Sequence, residues 1–557
     1  MLPGAAHPAE RTRRGQDGIV QGFLWCRCPP WCFGSPTACQ AGNFKPIYHL
    51  KRENLTINGG DRMVKYRCDV CHAFEYNPLH GNSLLGIKPG TRVEDFPDEW
   101  RCPICDSDKS HLFLVQEEKP HHLMYEAKKC PVCGQEIITA VSHEEKKDLD
   151  AYLGPWRRES DQIEVHMHEI HLISRTGESL TEPMRTTKPV VSWDEILIKG
   201  AQIARIPLNR DVPVNTRTVI GPKAKFPLVI ETPVYVTHMS FGALSREVKT
   251  ALAVGSAAVQ TAIGSGEGGL LPGERELAYR YIFEYVPNRY SVTDENLQKA
   301  DAIEIKIGQS TSPGLGAHLP AEKVTAEIAA IRGYPEGIDI VSPANYSDIR
   351  NREDLKAKVS WLREKSGGRP IGVKIAAGNI EDDLDAILYA GPDFITIDGR
   401  PGATGSAPKF IKDATSVPTI FALWRARKFL DSRGADGVSL VITGGLRISS
   451  DFAKALAMGA DAVAIGSAAL MACGCQQYRL CATGKCPVGV TTQNPEFRKR
   501  LEIDISARKL ELFLRVCTEE LKDFARLTGN DDVHDLRITD LCTTSSEISG
   551  HTGIEHV

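Results

Sequence analysis

From about Pro227 onward, short runs of β-branched and aliphatic residues alternate with longer segments whose apolar residues recur at helical spacing. "PVYVTHMSFGALS", "DAIEIKIGQ", "IDIVSPAN", "IGVKIAAGN", "FITIDGRPGATG", "VSLVITGGL" and "AVAIGSAAL" read as buried strands running into Gly, Ser or Asn. Between them, "SREVKTALAVGSAAVQ", "EDLKAKVSWLREKS" and "SSDFAKALAMGA" read as amphipathic helices. Strand, loop and helix repeated over roughly 260 residues predict an α/β fold, and a (β/α)8 TIM barrel fits the count. A doubly wound sheet would need a Gly-rich fingerprint after its first strand; "GSGEGG" (Gly264–Gly269) follows a helix-like stretch instead. In this reading "IEIKIGQ" is the third strand, "IGVKIAAG" the fifth and "FITIDGRPGATG" the sixth. "ITGGLR" and "AIGSAAL" are the seventh and eighth.

Polar residues inside these runs mark a site. Lys374 interrupts an apolar strand, so its ammonium must meet a ligand or partner to offset burial. A cation there suits the N1–O2 edge of a reduced flavin. Glu304, Lys306 and Gln309 alternate toward one side of their strand. Gly444, Gly445, Gly466 and Ser467 end the last two strands, where bare backbone N–H groups commonly hold a phosphate.

Composition narrows the class. The 557 residues are 42% hydrophobic and 25% charged, enough for one large domain and one or two small ones. A net charge of -4 gives no electrostatic case for nucleic acid or anionic lipid. The longest apolar runs fall well short of the ~20 residues that span a bilayer. "MLPGAAHPAERTRRGQDG" has arginines but no apolar segment directly behind them, so no signal peptide is expected. Sixteen cysteines without an export signal then point to a reducing, cytoplasmic setting in which thiols bind metal or do redox work.

The cysteines fall into groups. Cys68, Cys71, Cys102 and Cys105 form two Cys-x-x-Cys knuckles about thirty residues apart, able to enclose one tetrahedral metal. Tyr66, Phe74, Tyr76 and Trp100 supply an apolar shell. With "EYNP", "GIKPGT" and "EDFPDEWRCPIC", the segment from about Met63 to Leu114 resembles a rubredoxin, which implies one mononuclear iron and one-electron transfer. It departs from that family at His72 and Asp106, where Gly usually follows each knuckle. Cys130 and Cys133 make half a metal site, with His121, His122, His143, His166, His168 and His171 nearby. Residues 1–62, with Cys26, Cys28, Cys32 and Cys39, show no periodicity and read as disordered. "GGDRM" is what a translated ribosome-binding sequence would encode, so the native start is either Met1 or Met63.

Cys473, Cys475, Cys481 and Cys486 follow the last strand. Here, with "MSFGALS", "GSGEGG", "EIKIGQ…PGLGAHLP", "VSPAN", "DGRPGATGSAP" and "CQQYRLCATGKCPVGVTTQNP", residues from about 185 to 525 resemble the FMN-binding synthase domain of glutamate synthases, including the short archaeal-type form. The resemblance implies FMN and a 3Fe–4S cluster on Cys475, Cys481 and Cys486, with Cys473 a helix-face residue. It implies reductive amination of 2-oxoglutarate by ammonia, with Glu267, Lys306, Gln309 and Lys374 lining the site and Met239 and Ser240 meeting the flavin. No amidotransferase segment is present, so ammonia is free or supplied by a partner. A reductase subunit or ferredoxin would supply electrons, and homo-oligomers stay open. Ser312 stands where the family has a substrate-binding lysine, so Lys323 or Arg400 substitutes or the substrate differs. Arg400, on the sixth-strand loop, is the preferred cation. The competing readings are a methylamine–glutamate methyltransferase-like protein acting on another N-substituted amino acid, and an electron-transfer subunit. The organisation is therefore an extension (1–62), an iron module (63–118), a linker (119–184), a barrel (185–525) and a C-terminal tail (526–557).

Overall fold

Eight parallel strands close into a barrel: Val234–Val236, Ala262–Gly264, Arg280–Tyr285, Ala302–Lys306, Ile371–Ala376, Phe394–Asp398, Ser439–Thr443 and Ala462–Ile465. The computed structural model describes residues 64–68, 74–82, 85–103, 107–116, 125–129, 136–140, 157–158, 160–310 and 314–557. Cys71, Cys105, Cys130, Cys133, Ser312 and both candidate starts, Met1 and Met63, lie outside them. Nearly every barrel-strand residue is buried, as parallel strands covered by helices require. The covering helices start and stop on local signals. Ser245 accepts a hydrogen bond from the Val248 N–H ahead of Arg246–Ala257, and Asn351 does the same for Asp354 ahead of Arg352–Lys365. The long helix Ile503–Leu527 buries Ala507, Leu510, Leu514, Cys517, Leu521 and Ala525 along one face. Cys517 is there a small buried apolar residue.

Two strand assignments change. "IDIVSPAN" is not in the barrel: only Ile340–Val341 is extended, paired with His318–Leu319 outside it. The second and third barrel strands are Ala262–Gly264 and Arg280–Tyr285, so Ala302–Lys306 is the fourth strand and not the third. The second strand is three residues long between a helix and a run of glycines, and the third is aromatic and carries Glu284. Neither presents a β-branched run. The fifth to eighth strands stand where the pattern put them.

Residues 526–557 are not a loose tail. Leu541–Thr543 pairs antiparallel with Ile196–Ile198 and parallel with Glu555–His556. Its apolar residues pack into the main core, so side-chain burial as well as strand pairing ties it down.

The N-terminal module is a three-stranded antiparallel sheet with Val64–Cys68 between Glu75–Tyr76 and Leu112–Gln116. Its core gathers Cys68, Phe74, Tyr76, Ile87, Val93, Phe96, Trp100, Cys102 and Leu112. Phe96 completes the expected aromatic shell, 4.8 Å from Tyr76 and 5.2 Å from Trp100 between ring centroids. No helix among the described residues is long and apolar enough to cross a membrane.

Candidate active site and thiol pocket

A cavity of about 860 Å³ lies over the C-terminal ends of the barrel strands, and residues at or just after all eight strand ends line it. Glu267, Lys306, Gln309, Lys374, Met239, Ser240, Gly444, Gly445, Gly466 and Ser467 all do so. Their convergence depends on close backbone approach. Gly266 has φ 81°, and a Cβ there would overlap the Met239 carbonyl, so the first two loops can touch only with glycine. Gly444, at φ 111°, likewise lies against the Gly399 carbonyl of the sixth-strand loop.

Glu267 is the most constrained acid. Its Oε2 is 2.5 Å from Lys306 Nζ, and its Oε1 accepts from Ser342 Oγ. Burial pushes its pKa up, but the Lys306 charge, both hydrogen bonds and Arg332 outweigh that and hold it below the usual range. Lys306 is raised: burial opposes its charge, and Glu267 and Glu284 more than compensate. Ser342 comes from "VSPAN", so the segment that is not a barrel strand still delivers a site residue. Lys374 Nζ lies 3.8 Å from Asp398, whose pKa burial raises.

Arg400 corrects the expectation made for it. It is absent from the cavity lining; its Nη2 donates to the Asp413 carbonyl at 3.3 Å, near the end of the helix Lys409–Ala414. The negative end of that helix draws the guanidinium away from the strand-end face. Lys323 does line the cavity. Its Nζ donates to the Ala243 and Cys481 carbonyls, and burial depresses its pKa to about 8. A further cation, Arg332, carried no sequence signal: it ends the helix Ala326–Arg332, inside no motif. It lines the cavity, donates to the Phe241 carbonyl at 2.8 Å and lies over the Tyr290 ring.

At the cavity floor is a second charged layer, of which the sequence reading singled out only Glu304. His238, Glu284 and Glu304 place their donor atoms within 4.8 Å of one another. His238 Nδ1 accepts the Gly266 N–H at 3.3 Å, which leaves its other nitrogen carrying the proton, 3.1 Å from Glu304. That tautomer offers no lone pair to a metal, so the trio is a buried pairing layer.

The thiols form a separate small pocket. Cys475, Cys481 and Cys486 line it, with no histidine or carboxylate among the lining residues. Burial pushes Cys481 up to about 11, Cys475 and Cys486 add to this, and Thr491 and Lys323 oppose it. Three convergent soft donors, without the fourth that a structural zinc site takes, fit an iron–sulfur cluster. Cys473 is elsewhere, buried on the helix Ser467–Cys473 as expected. The large cavity suits a flavin: it has glycine-lined strand ends, a lysine on the fifth strand, and a helix start at Ser467 without a side-chain cap. In the N-terminal module, Cys68 and Cys102 are buried at the sheet end, with Cys68 Sγ 3.3 Å from Ser107 Oγ.

Fold and site thus define a TIM-barrel protein with a strand-end cavity, an adjoining thiol loop and a rubredoxin module. The chain belongs to the glutamate synthase family: the family model "conserved region in glutamate synthase" matches residues 166–531, and the rubredoxin model matches 65–112. It is 35% identical over 414 residues to a glutamate synthase large subunit-like protein of Rhizobium meliloti, covering 71% of this chain and 93% of that one. It is 34% identical over 473 residues to an archaeal-type glutamate synthase (NADPH) of Thermotoga maritima, covering 78% and 90%. It is 40% identical over 324 residues to the archaeal glutamate synthase (NADPH) of Methanocaldococcus jannaschii, covering 58% and 63%.

Proposed function

We propose that the chain is a cytoplasmic oxidoreductase that reductively aminates 2-oxoglutarate: the 2-oxo acid, ammonia, two electrons and two protons give L-glutamate and water. The observation that carries this is the Glu267–Lys306–Ser342 cluster facing a flavin-sized cavity with Arg332 beside it. Lys306 and Arg332 would bind and orient the substrate carboxylates. Glu267, kept anionic, takes a proton from ammonium so that the free amine can attack the carbonyl carbon. Gln309 fixes the carbonyl end. FMN, held by Met239, Ser240, Lys374, Gly444, Gly445, Gly466 and Ser467, would supply hydride and accept electrons singly.

Cys475, Cys481 and Cys486 would hold the 3Fe–4S cluster. The 63–118 module would hold one iron in Cys68, Cys71, Cys102 and Cys105. Electrons then enter one at a time from a reductase subunit or ferredoxin. Two of the relatives bear NADPH in their names, and the rubredoxin match is what favours a protein donor here. Ammonia is free or comes from a partner.

The test is anaerobic reoxidation of the reduced, fully loaded protein. We expect it to require 2-oxoglutarate and ammonium together, and to yield glutamate. Arg332→Ala should raise KM for 2-oxoglutarate roughly 10- to 100-fold, while Arg400→Ala leaves it near wild type. Reoxidation by another 2-oxo acid in place of 2-oxoglutarate, or reduction of the oxidised flavin by an N-substituted amino acid, would instead support the methyltransferase-like reading.

A further inference from the structure

The last residue of the expected linker is part of the site. Residues 180–186 run along the sixth-strand loop as a strap. Glu182 N–H donates to the Ala407 carbonyl, Met184 N–H to Thr404, and Lys409 N–H to Leu180, at 3.1, 2.9 and 2.7 Å. Side chains fasten it further: Lys412 pairs with Glu182, and Thr186 Oγ1 donates to Asp413 at 2.6 Å. From the other side, Arg479 of the thiol loop donates to the Arg185 carbonyl at 3.1 Å.

Met184, in the middle of this strap, has φ 70°, a left-handed conformation uncommon for a residue with a side chain. Such a conformation persists only where the surroundings over-determine it, and it clusters at functional sites. Its side chain is buried, and its Sδ lies 3.7 Å from Cys481 Sγ. Met184, Cys481 and Thr491 line both the large cavity and the thiol pocket. They are the wall between the two. Of the three, only Met184 comes from outside the thiol loop and the segment following it.

We propose that Met184 is a positioning and shielding residue: it closes the Cys481 side of the thiol pocket against the water of the substrate cavity. It thereby sets the reduction potential and oxygen resistance of the cluster bound there. Cluster potentials respond to solvent exposure and to the shell around the sulfurs. A flexible, apolar thioether fills such an irregular gap well. The strap's double fastening explains why an unfavourable backbone conformation is kept: it delivers bulk at one point that the loop itself cannot reach. This inference rests on the cluster reading above.

The experiment uses the full, loaded chain and compares wild type with Met184→Ala, Met184→Gly and Met184→Leu. The readouts are the cluster's electron paramagnetic resonance signal, its midpoint potential and its bleaching rate in air. Circular dichroism and bound-flavin absorbance report that the barrel has folded. Ala and Gly should bleach about tenfold faster and shift the potential, while Leu, of similar volume, should stay close to wild type. Gly accepts the left-handed backbone without cost, so a matching loss in Ala and Gly separates shielding from strain. The proposal is overturned if Ala and Gly keep wild-type potential and bleaching. It is equally overturned if Leu fails as badly as Ala, since sulfur and not bulk would then be what matters. Absence of iron and sulfide from wild type would overturn the cluster reading itself, before any variant is compared.

Discussion

Two of the cysteine groups of this chain are built in opposite ways. In the N-terminal module, the described cysteines, Cys68 and Cys102, are held by near neighbours in sequence. Cys68 N–H donates to the Phe74 carbonyl and Cys102 N–H to Ser107, within a few residues each. The aromatic shell is equally local, from Phe74 to Trp100. In the barrel, the thiol loop hangs from the last strand and is held by distant parts of the chain: Met184, Lys323 and the strap along residues 404–413. A site made from neighbours in sequence can be moved between proteins as a cassette. A site made from remote segments exists only when the whole barrel has closed.

The sharpest test of that independence is Cys481→Ser. It should abolish the barrel cluster's magnetic resonance signal and leave the module's iron spectrum unchanged, because the two sites share no ligand. Simultaneous loss of both would break the comparison. Next in size, Glu267→Gln should cut turnover roughly a hundred- to ten-thousandfold in steady-state assays, with FMN content unchanged. In the proposed reaction the carboxylate is the proton acceptor, and its neighbours Lys306 and Ser342 can still pair with an amide.

In the module, Phe96→Ala should cost about 3–5 kcal/mol of local stability. That is read as earlier thermal loss of the module's iron absorbance while flavin fluorescence melts as in wild type. A flavin transition that moved in step would show the two regions to be energetically coupled. The smallest effect is expected for Cys473→Ala: under about 2 kcal/mol in thermal unfolding, with iron and sulfide content unchanged. Cys473 is buried on a helix, apart from the pocket that the other three thiols line.

The same contrast decides what was legible beforehand. Much of the module's core could be read, since knuckles and aromatics lie in one short segment; Phe96, Ile87, Val93 and Leu112 were not singled out. The barrel could be read as a class, and its late strands by position, because those runs are β-branched and end in glycine. Arg280–Tyr285 was missed because its aromatic, Glu-bearing run lacks that pattern. Cavity-lining residues on barrel strands, such as Lys306 and Lys374, stood out because a charge in an apolar run is conspicuous. Arg332 and Met184 were not, since one ends an ordinary helix and the other lies in a linker. Arg400 was placed wrongly for a related reason. Its loop leaves the correct face, but the direction of a side chain on a loop depends on what packs beside it, here the end of Lys409–Ala414.

The pairing of Leu541–Thr543 with Ile196–Ile198 has a consequence for biosynthesis. Ile196 is fully buried in the finished molecule, and Lys199 donates its N–H to the backbone of Asp540. A ribosome releases the first of these strands long before it has made the second. At ~5–20 residues per second the wait is on the order of tens of seconds. Throughout that interval the nascent chain carries an unmatched apolar edge. A chaperone that acts on unfinished chains would find its target there.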